Sequence, residues 1–374
     1  MDAGEADTAA ASPRPAQVDS ERPAAPEGEG PVPLLPQPAQ GSLLWRIGGV
    51  IRTMRPHQWA KNSFVLAPVV FAKDMFFPPL IMSAGAAFLV FCLLAGAVYT
   101  MNDIVDVEGD RVHPVKRFRP IPSGRVPLGL AKALAVVLII VSLGGGALLD
   151  LRFAGVALAY FAVNVAYSFK LKKIAYVDVS CIAAGFVLRV VAGGFATHIP
   201  VSGYLLACTA LLALFLGFGK RRHELAQAAS NAKAAKKQRE ALEAYTPRAL
   251  TAALALTALT TVGAYIAYTL DPATRAFFKT DWLWLTTFSV VFGMGRFLQL
   301  VTSRPKAESP TQEMLRDVPF VLNLFVWIVI VIVIVYALRP SGMPLGDRRR
   351  TWRWLWRRRR RRTDRRPGPT GPTR

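Results

Sequence analysis

Long runs of apolar residues, separated by short polar segments, recur along this chain of 374 residues. A helix that crosses a bilayer needs about 20 mostly apolar residues, and nine segments come close to that length. They lie near residues 58–73, 80–101, 128–149, 153–169, 177–197, 201–219, 249–270, 281–301 and 318–338. The first is the weakest because it contains Lys61. The pattern predicts an all-α integral membrane protein with a bundle of nine transmembrane helices.

Basic residues are distributed unevenly over the connections between these segments. The connections 102–127, 170–176, 220–248 and 302–317 carry five, three, eight and three Lys or Arg residues, whereas the connections between them carry few. Because loops rich in Lys and Arg stay in the cytoplasm, we expect these four loops to form a cytoplasmic cap, on the same side as the N-terminus. The segment 220–248 is rich in Ala, Lys, Glu and Gln, which favours a helix.

The two ends differ from the middle of the chain, and we expect three regions: 1–45, 46–339 and 340–374. The first forty residues contain seven acids, two Arg and eight Pro, a composition typical of disordered segments. From residue 340 the chain contains thirteen Arg and two Asp, half of the net charge of +22. Nine spans would place this basic tail outside, against the charge rule. Three explanations stay open: a solvated tail, an interfacial anchor built on Trp352, Trp354 and Trp356, and a wrong helix count.

An aspartate motif, NDIVDVEGD, follows the second apolar segment. Asp103, Asp106 and Asp110 are spaced i, i+3 and i+7, so a continuous helix would place all three on one face, with Asn102 beside the first. Such oxygen ligands suit Mg²⁺, which usually binds through one or two carboxylates together with substrate phosphates. The motif predicts Asn102, Asp103, Asp106 and Asp110 as metal ligands, and the three aspartates as catalytic residues that act through the metal.

Basic residues follow this motif within a few positions. Lys116 supplies a point charge, and Arg117 and Arg119 supply planar forks that match phosphate. The segment is also rich in Pro, which prevents it from continuing as a helix. We interpret it as an anion clamp beside a metal site at the membrane surface. The alternative is a loop that is basic only for topology and pairs with the acids, which explains the bases but not the regular spacing of the aspartates.

The pattern NDxxDxxxD after a transmembrane helix resembles the first aspartate-rich motif of the UbiA superfamily of intramembrane prenyltransferases. The resemblance implies nine helices, and aspartates that hold Mg²⁺ and a diphosphate in a cavity open to the cytoplasm. Most members have a second aspartate-rich motif, but the segment YSFKLKKIAYVDV contains one acid, Asp178. Four further segments resemble the phosphoribosyl-transferring branch: RPHQWAKN, HPVKRFRPIPSG, GFVLRVVAGGFAT and GKRRHEL. The resemblance covers residues 50–338.

This resemblance implies an enzyme that moves a 5-phosphoribosyl group from phosphoribosyl pyrophosphate to a polyprenyl phosphate such as decaprenyl phosphate, with Mg²⁺ as cofactor. It implies a multi-pass protein of the plasma membrane, with an active site that faces the cytoplasm and no nucleic-acid partner. The oligomeric state stays open, a homo-oligomer included. No Ser or Cys with a neighbouring base is evident in the sequence, so covalent catalysis has no support. Two alternatives remain: a prenyltransferase that joins a prenyl diphosphate to an aromatic acceptor, and a transporter of an anionic solute.

Several other residues are candidates for substrate contacts. Lys61 lies in RPHQWAKN, where anchoring at the membrane interface is the alternative role. Arg189 lies inside an apolar segment, where an Arg requires a partner. That partner is a substrate phosphate, a motif acid or Asp178, which is also a substrate-site candidate itself. The family pattern adds Tyr167, Lys172, Lys220 and Arg221.

Overall fold

The computed structural model describes residues 41–72, 77–113, 115–230, 244–303, 313–314 and 316–337. All regular elements in these ranges are helices, which confirms the all-α prediction. The α-helices are α1 Leu43–Thr53, α2 Ala67–Phe71, α3 Pro78–Val105, α4 Val107–Arg111, α5 Leu128–Leu149, α6 Leu151–Phe169, α7 Val177–Thr197, α8 Gly203–Ser230, α9 Pro247–Leu270, α10 Pro272–Phe278, α11 Thr286–Ser303 and α12 Val318–Ile332. Most of the predicted N-terminal segment and all of the predicted tail 340–374 lie outside the described residues.

Eight helices in the described ranges are long and apolar enough to cross a membrane. The predicted span 58–73 differs, because it consists of a 3-10 helix, Pro56–Leu66, followed by the short α2. Arg55 before it adopts a left-handed conformation with φ 52°, and Pro56 cannot donate a backbone hydrogen bond. Polar residues such as Lys61 and Asn62 also interrupt the apolar run. The number of nine spans therefore stays a prediction.

Polar caps fix the starts of several helices. Asp150 accepts the backbone N–H of Arg152 at the start of α6, and Thr246 accepts that of Ala249 at the start of α9. Asp317 accepts that of Phe320 at the start of α12. Such caps satisfy backbone donors that have no partner within the helix. They place each helix start at a defined residue.

Helices α3 and α7 lie at the centre of the bundle. About half of the residues in the most apolar stretch of each helix are buried, against a third or less in the other spans. α3 packs on α5, and α7 packs on α6, α8 and the 3-10 helix Pro56–Leu66. Phe91, Phe153 and Tyr160 form the core between α3 and α6. The exposed apolar surfaces of the outer helices suit a lipid environment.

A close approach at Gly193 and a second hydrophobic core set the position of the groups described below. A Cβ atom on Gly193 of α7 would lie 1.9 Å from the carbonyl oxygen of Val65, so only glycine permits this contact. Small residues allow helices in a membrane to approach each other closely in this way. A second core, between α8, α9 and α11, contains Phe215, Phe297 and Tyr245, and Tyr245 anchors the segment that precedes α9.

The connection between α3 and α5 is folded rather than extended. Val107, Ile121 and Val126 are buried together and pack against Val50 of α1. The chain turns at Gly124, whose φ of 76° favours glycine. The basic segment 116–119 is thereby held against the end of α3. In the next basic loop, the predicted helix is confirmed to Ser230, where α8 ends, and residues 231–243 lie outside the described ranges.

Candidate active site at the charged end of the bundle

The predicted site residues concentrate at one end of the bundle, where α3 and α6 end, α7 and α9 begin and α8 passes through. We call this the charged end. The aspartate motif does not form one helical face there, because α3 ends at Val105 and Asp106 leaves the helical conformation, with φ −87° and ψ 3°. Asp103 and Asp110 are buried, whereas Asp106 is exposed. The prediction of a single face is therefore wrong for Asp106.

Arginines surround the two buried aspartates. Arg55 Nη2 donates to Asp103 Oδ1 at 2.5 Å. Arg119 Nη1 bridges the two acids, at 3.2 Å from Asp103 Oδ1 and 2.6 Å from Asp110 Oδ2. Lys116 Nζ lies 3.7 Å from Asp110 Oδ1. The buried carboxylates are thus neutralised by three bases. Two of them, Lys116 and Arg119, belong to the predicted anion clamp.

Asp106 has a different environment. Its backbone N–H donates to Asn102 at 2.9 Å, and its carbonyl accepts from the N–H of Asp110 at 2.8 Å. Asn102, Asp106 and Asp110 are therefore stacked by successive turns of backbone hydrogen bonds. Within the described residues, Asp106 makes no ion pair. It offers a free, solvent-exposed carboxylate beside a paired one.

These residues fit Mg²⁺ that binds together with a phosphate ligand better than they fit a closed metal cage. No group of three or more His, Cys, Asp or Glu side chains in the described ranges is arranged to hold an ion. Mg²⁺ keeps waters and usually takes one or two carboxylates plus substrate phosphates. Asp106 supplies one free carboxylate, and Asp110, one turn away, can supply a second only if Lys116 and Arg119 release it.

Arg189 is buried among neutral groups. It is 6% exposed, and its Nε donates to Asn62 Oδ1 at 2.9 Å. Its Nη2 donates to the Tyr160 hydroxyl at 2.7 Å, and its Nη1 to the carbonyl of Gly185 at 3.0 Å. No carboxylate faces it among the described residues. A buried cation without a counter-charge is costly, so this position favours an anionic ligand.

Lys61 likewise has no carboxylate partner among the described residues. Its side chain is accessible to water, with Gln58 Oε1 at 3.5 Å. Crowding by protein atoms, and then the charges of Lys220, Arg189 and Arg55, lower the pKa of Lys61 to about 8. Beside the effect of burial, three cations from different parts of the chain, Lys220, Arg189 and Arg55, act on the Lys61 amine.

Asp178 is not the partner of Arg189, so that predicted alternative is wrong. Asp178 is fully buried, and its Oδ2 lies 2.5 Å from Arg221 Nε, an ion contact whose N–H is not aligned as a hydrogen bond. Its Oδ1 accepts the hydroxyl of Tyr245 at 2.5 Å. Both oxygens are occupied by protein, so Asp178 is unsuited as a metal ligand. The sequence left this assignment open because α8 lies far along the chain.

The remaining candidates are dispersed around these groups. Arg221 also bonds Glu224 and the hydroxyl of Tyr167, and Lys220 lies 3.7 Å from Glu224. Arg117 stacks on the neighbouring Phe118 ring. Lys172 is in the short 3-10 helix Leu171–Lys173 that follows α6. Asn102 lines a narrow cleft between α3 and the end of α6, which also contains Ser168 and Phe169.

Sequence reasoning missed several residues that the structure brings into these networks. Arg55 is part of RPHQWAKN, and its motif was a usable signal. Asn62 is in the same motif, but its contact with Arg189 spans 127 positions. Tyr160 and Tyr245 carry no local signal, because one is in an apolar span and the other follows a charged loop.

Comparison with known proteins agrees with this geometry. Residues 63–329 match the model of the UbiA prenyltransferase family. The chain belongs to the UbiA prenyltransferase family. The predicted resemblance is thereby confirmed, as is the multi-pass membrane architecture that the apolar helices indicate.

Two bacterial relatives of this family member carry the same name. A decaprenyl-phosphate phosphoribosyltransferase of Corynebacterium glutamicum is 34% identical over 297 residues, covering 78% of this chain and 87% of the relative. A decaprenyl-phosphate phosphoribosyltransferase of Mycobacterium tuberculosis is 42% identical over 204 residues, covering 54% of this chain and 67% of the relative. The similarity to the first extends over most of both chains.

Solved structures of UbiA proteins share the fold. A UbiA homologue from Archaeoglobus fulgidus bound to DMAPP and Mg²⁺ aligns with a TM-score of 0.56 and 17% identity, covering 78% of this chain and 100% of that one. A digeranylgeranylglyceryl phosphate synthase structure aligns with a TM-score of 0.57 and 15% identity, covering 78% and 99%. At these identities the likeness establishes the fold alone.

Proposed function

We propose that this protein transfers the 5-phosphoribosyl group of phosphoribosyl pyrophosphate to decaprenyl phosphate or a similar polyprenyl phosphate, with release of pyrophosphate. One observation carries the proposal: a free carboxylate, Asp106, lies at the end of α3 beside arginines that pair with the other two motif acids. This combination suits a metal-bound diphosphate. The shared name of the bacterial relatives supports the choice of substrates.

Mg²⁺ is the cofactor we infer, held by Asp106 and Asp110 with Asn102 nearby. Both buried aspartates must be released by bases before they can bind the ion: Asp103 by Arg55 and Arg119, and Asp110 by Lys116 and Arg119. When bound, the ion stabilises negative charge on the leaving pyrophosphate. The arginines add fixed positive charge around the same group, which is the kind of electrostatic stabilisation that contributes most to such reactions.

The donor carries phosphate at both ends, so it needs two cationic regions. For the 5-phosphate, the candidates among the predicted substrate-binding bases are Lys116, Arg117, Arg119 and Lys172. Lys116 and Arg119 already face Asp110, which reduces their net charge for a second phosphate. Lys61 and Arg189 have no carboxylate partner in the described part of the chain, so we add them as candidates.

The reaction needs no strong general base. The acceptor phosphate is already an anion, and its oxygen forms a bond to the anomeric carbon of ribose. The bond from that carbon to the pyrophosphate oxygen breaks, and pyrophosphate leaves with the electron pair. We propose that this occurs at the cytoplasmic face of the plasma membrane, with the lipid tail in the bilayer.

Prenyl transfer to an aromatic acceptor is the second candidate, because the family and its solved members favour prenyl chemistry. A second acidic site for a prenyl diphosphate is not available at Asp178, whose oxygens are held by Arg221 and Tyr245. Transport of an anionic solute has no specific support.

A paired assay separates the two reactions. The purified protein is given labelled phosphoribosyl pyrophosphate with decaprenyl phosphate, and separately a prenyl diphosphate with an aromatic acid. We expect a lipid product only from the first pair, and only with Mg²⁺. Glu108→Gln serves as a control because Glu108, 80% exposed, pairs with Arg111 on the same short helix as Asp110. A product from the second pair alone would refute the proposal.

A further inference from the structure

The hydroxyl of Tyr245 connects the segment before α9 to the charged end. We propose that Tyr245 is a positioning residue, whose hydroxyl holds the Asp178 carboxylate so that this carboxylate fixes the Arg221 guanidinium for contact with the phosphoribosyl donor. The role in donor binding rests on the proposed function. No sequence motif indicated Tyr245.

Tyr245 makes two hydrogen bonds in a buried position. It is 3% exposed. Its hydroxyl donates to Asp178 Oδ1 at 2.5 Å and accepts the backbone N–H of Tyr176 at 2.6 Å. Its ring lies 4.9 Å from the Tyr176 ring. Because the hydroxyl has one donor proton and its acceptor site is used by Tyr176, its orientation toward Asp178 is fixed.

Tyr176 requires this support. Its φ of 65° is rare for a residue other than glycine, and it comes directly before α7. Strained backbone of this kind persists where surrounding contacts hold it. The bond from the Tyr176 N–H to Tyr245 is such a contact, and it places Asp178 at the start of α7 within reach of α8.

Asp178 in turn holds the Arg221 guanidinium in place. The carboxylate is fully buried, and each oxygen has one partner, Tyr245 or Arg221. Loss of the Tyr245 hydroxyl would leave Oδ1 without a donor in a region that water does not reach, and a buried unsatisfied acceptor is costly. The carboxylate would turn to share both oxygens with Arg221, whose side chain also reaches Glu224 and Tyr167.

Arg221 contacts Tyr167 at the end of α6, and it follows Lys220 on α8, whose charge acts on Lys61. A change in the direction of the Arg221 guanidinium would therefore weaken its electrostatic attraction for a phosphate bound near Lys61. Among the described residues, Asp178 and Glu224 pair with Arg221, and Glu224 also lies near Lys220.

The test is Tyr245→Phe, which keeps the ring and removes the hydroxyl. We expect the KM for phosphoribosyl pyrophosphate to rise about tenfold, the loss that one hydrogen bond to a charged group accounts for, with kcat changed less. In a double-mutant cycle with Arg221→Lys, the two losses should not add, because both act on one guanidinium. Tyr268→Phe is the matched control and should leave the KM unchanged. Tyr268 lies on α9, and we assign it neither to the contacts of Asp178 and Arg221 nor to the residues around Asp103 and Asp110.

Three outcomes would overturn the inference: an unchanged KM, losses that add fully, or a KM that rises equally in Tyr268→Phe. If Tyr245→Phe does not fold, Asp178→Asn replaces it, with the same expected KM and the same non-additivity. Failure of both variants to fold, while Tyr268→Phe folds, would also overturn it. Absence of transfer by the wild type would refute the proposed function instead, and donor binding measured by thermal shift would then test Tyr245.

Discussion

At the scale of single residues, the bases at the charged end divide into two classes. Arg55, Arg119 and Arg221 contact buried carboxylates, whereas Lys61 and Arg189 face neutral groups in the described part of the chain. Bases of the first class are oriented by the acids they pair with, and the proposed contact of Arg221 with the donor depends on that orientation. Bases of the second class have charge available for a ligand, which is why we assign them to a substrate phosphate.

The aspartates should respond differently to substitution. Asp106→Asn should reduce transfer by about a hundredfold or more, the effect typical of losing a metal-linked electrostatic contact, without loss of thermal stability, because Asp106 is exposed and unpaired. Asp103→Asn should reduce both transfer and thermal stability, since it leaves Arg55 without its buried counter-charge and removes one of the two that Arg119 has. Their partial exposure, 22% and 31%, should keep the cost below the ~3–5 kcal/mol known for fully buried pairs.

Transfer assays and thermal unfolding of the two purified variants provide the measurement. Equal loss of stability in both would show that Asp106 is a structural residue. Full activity of Asp106→Asn would contradict its role at the metal.

The pH dependence of donor binding should report Lys61. Since its pKa is lowered to about 8, the lysine is charged below that pH and loses its proton above it. We expect kcat/KM for phosphoribosyl pyrophosphate to fall as the pH rises through about 8, because this parameter reports groups of the free enzyme.

Lys61→Arg is the matched variant, because an arginine stays charged over this range. The decline near pH 8 should disappear in this variant even if the absolute rate is lower. An identical decline in Lys61→Arg and in the wild type would assign the titration to another group.

At the scale of elements, apolar run length predicted the long helices well, because a bilayer span is a local property of the sequence. At 58–73 the chain forms a 3-10 helix followed by the short α2, because Arg55 and Pro56 impose a different backbone, and the ninth span stays a prediction. Spacing failed at Asp106, since the end of α3 breaks the helical phase that the prediction assumed. Both differences arise where a regular helix is interrupted, and pairing between distant segments decides the conformation there.

The contact between α7 and the 3-10 helix should depend on Gly193. Gly193→Ala would put a Cβ atom 1.9 Å from the Val65 carbonyl oxygen, so the two elements must separate. We expect a stability loss of about 1–3 kcal/mol, typical of overpacking. A higher KM for the donor should accompany it, because Asn62 and Arg189 lie on these same elements.

Gly144→Ala in α5 is the control for this substitution, because nothing lies within 4 Å of its added Cβ. Alanine should stabilise a helix there by up to about 1 kcal/mol. Thermal unfolding in one detergent compares the variants. Equal stability of the two would contradict the close packing of α7.

At the scale of the whole molecule, the site is assembled from segments that lie far apart in sequence. Arg55 and Asp103 are 48 positions apart, and Tyr245 and Asp178 are 67 apart. The sequence predicted functional roles for the aspartates, the basic clamp and Arg189, since charge in an apolar setting is a local signal. It could not pair them, because pairing depends on how the helices pack.

The orientation in the membrane can be tested with single cysteines. After replacement of Cys92, Cys181 and Cys208 by Ser, Ser123→Cys lies in the first basic loop and Ser202→Cys in a loop with few bases. Both positions are exposed. A membrane-impermeant thiol reagent should label residue 202 in intact cells and residue 123 only in inverted vesicles. The reverse pattern would place the charged end outside.

The most direct test of the whole account is the structure of the protein with Mg²⁺ and phosphoribosyl pyrophosphate bound. We expect the diphosphate beside Asp106 and Asp110, within reach of Arg119, and the 5-phosphate toward Lys61. A donor bound at another end of the bundle, or a metal held away from the end of α3, would contradict the account.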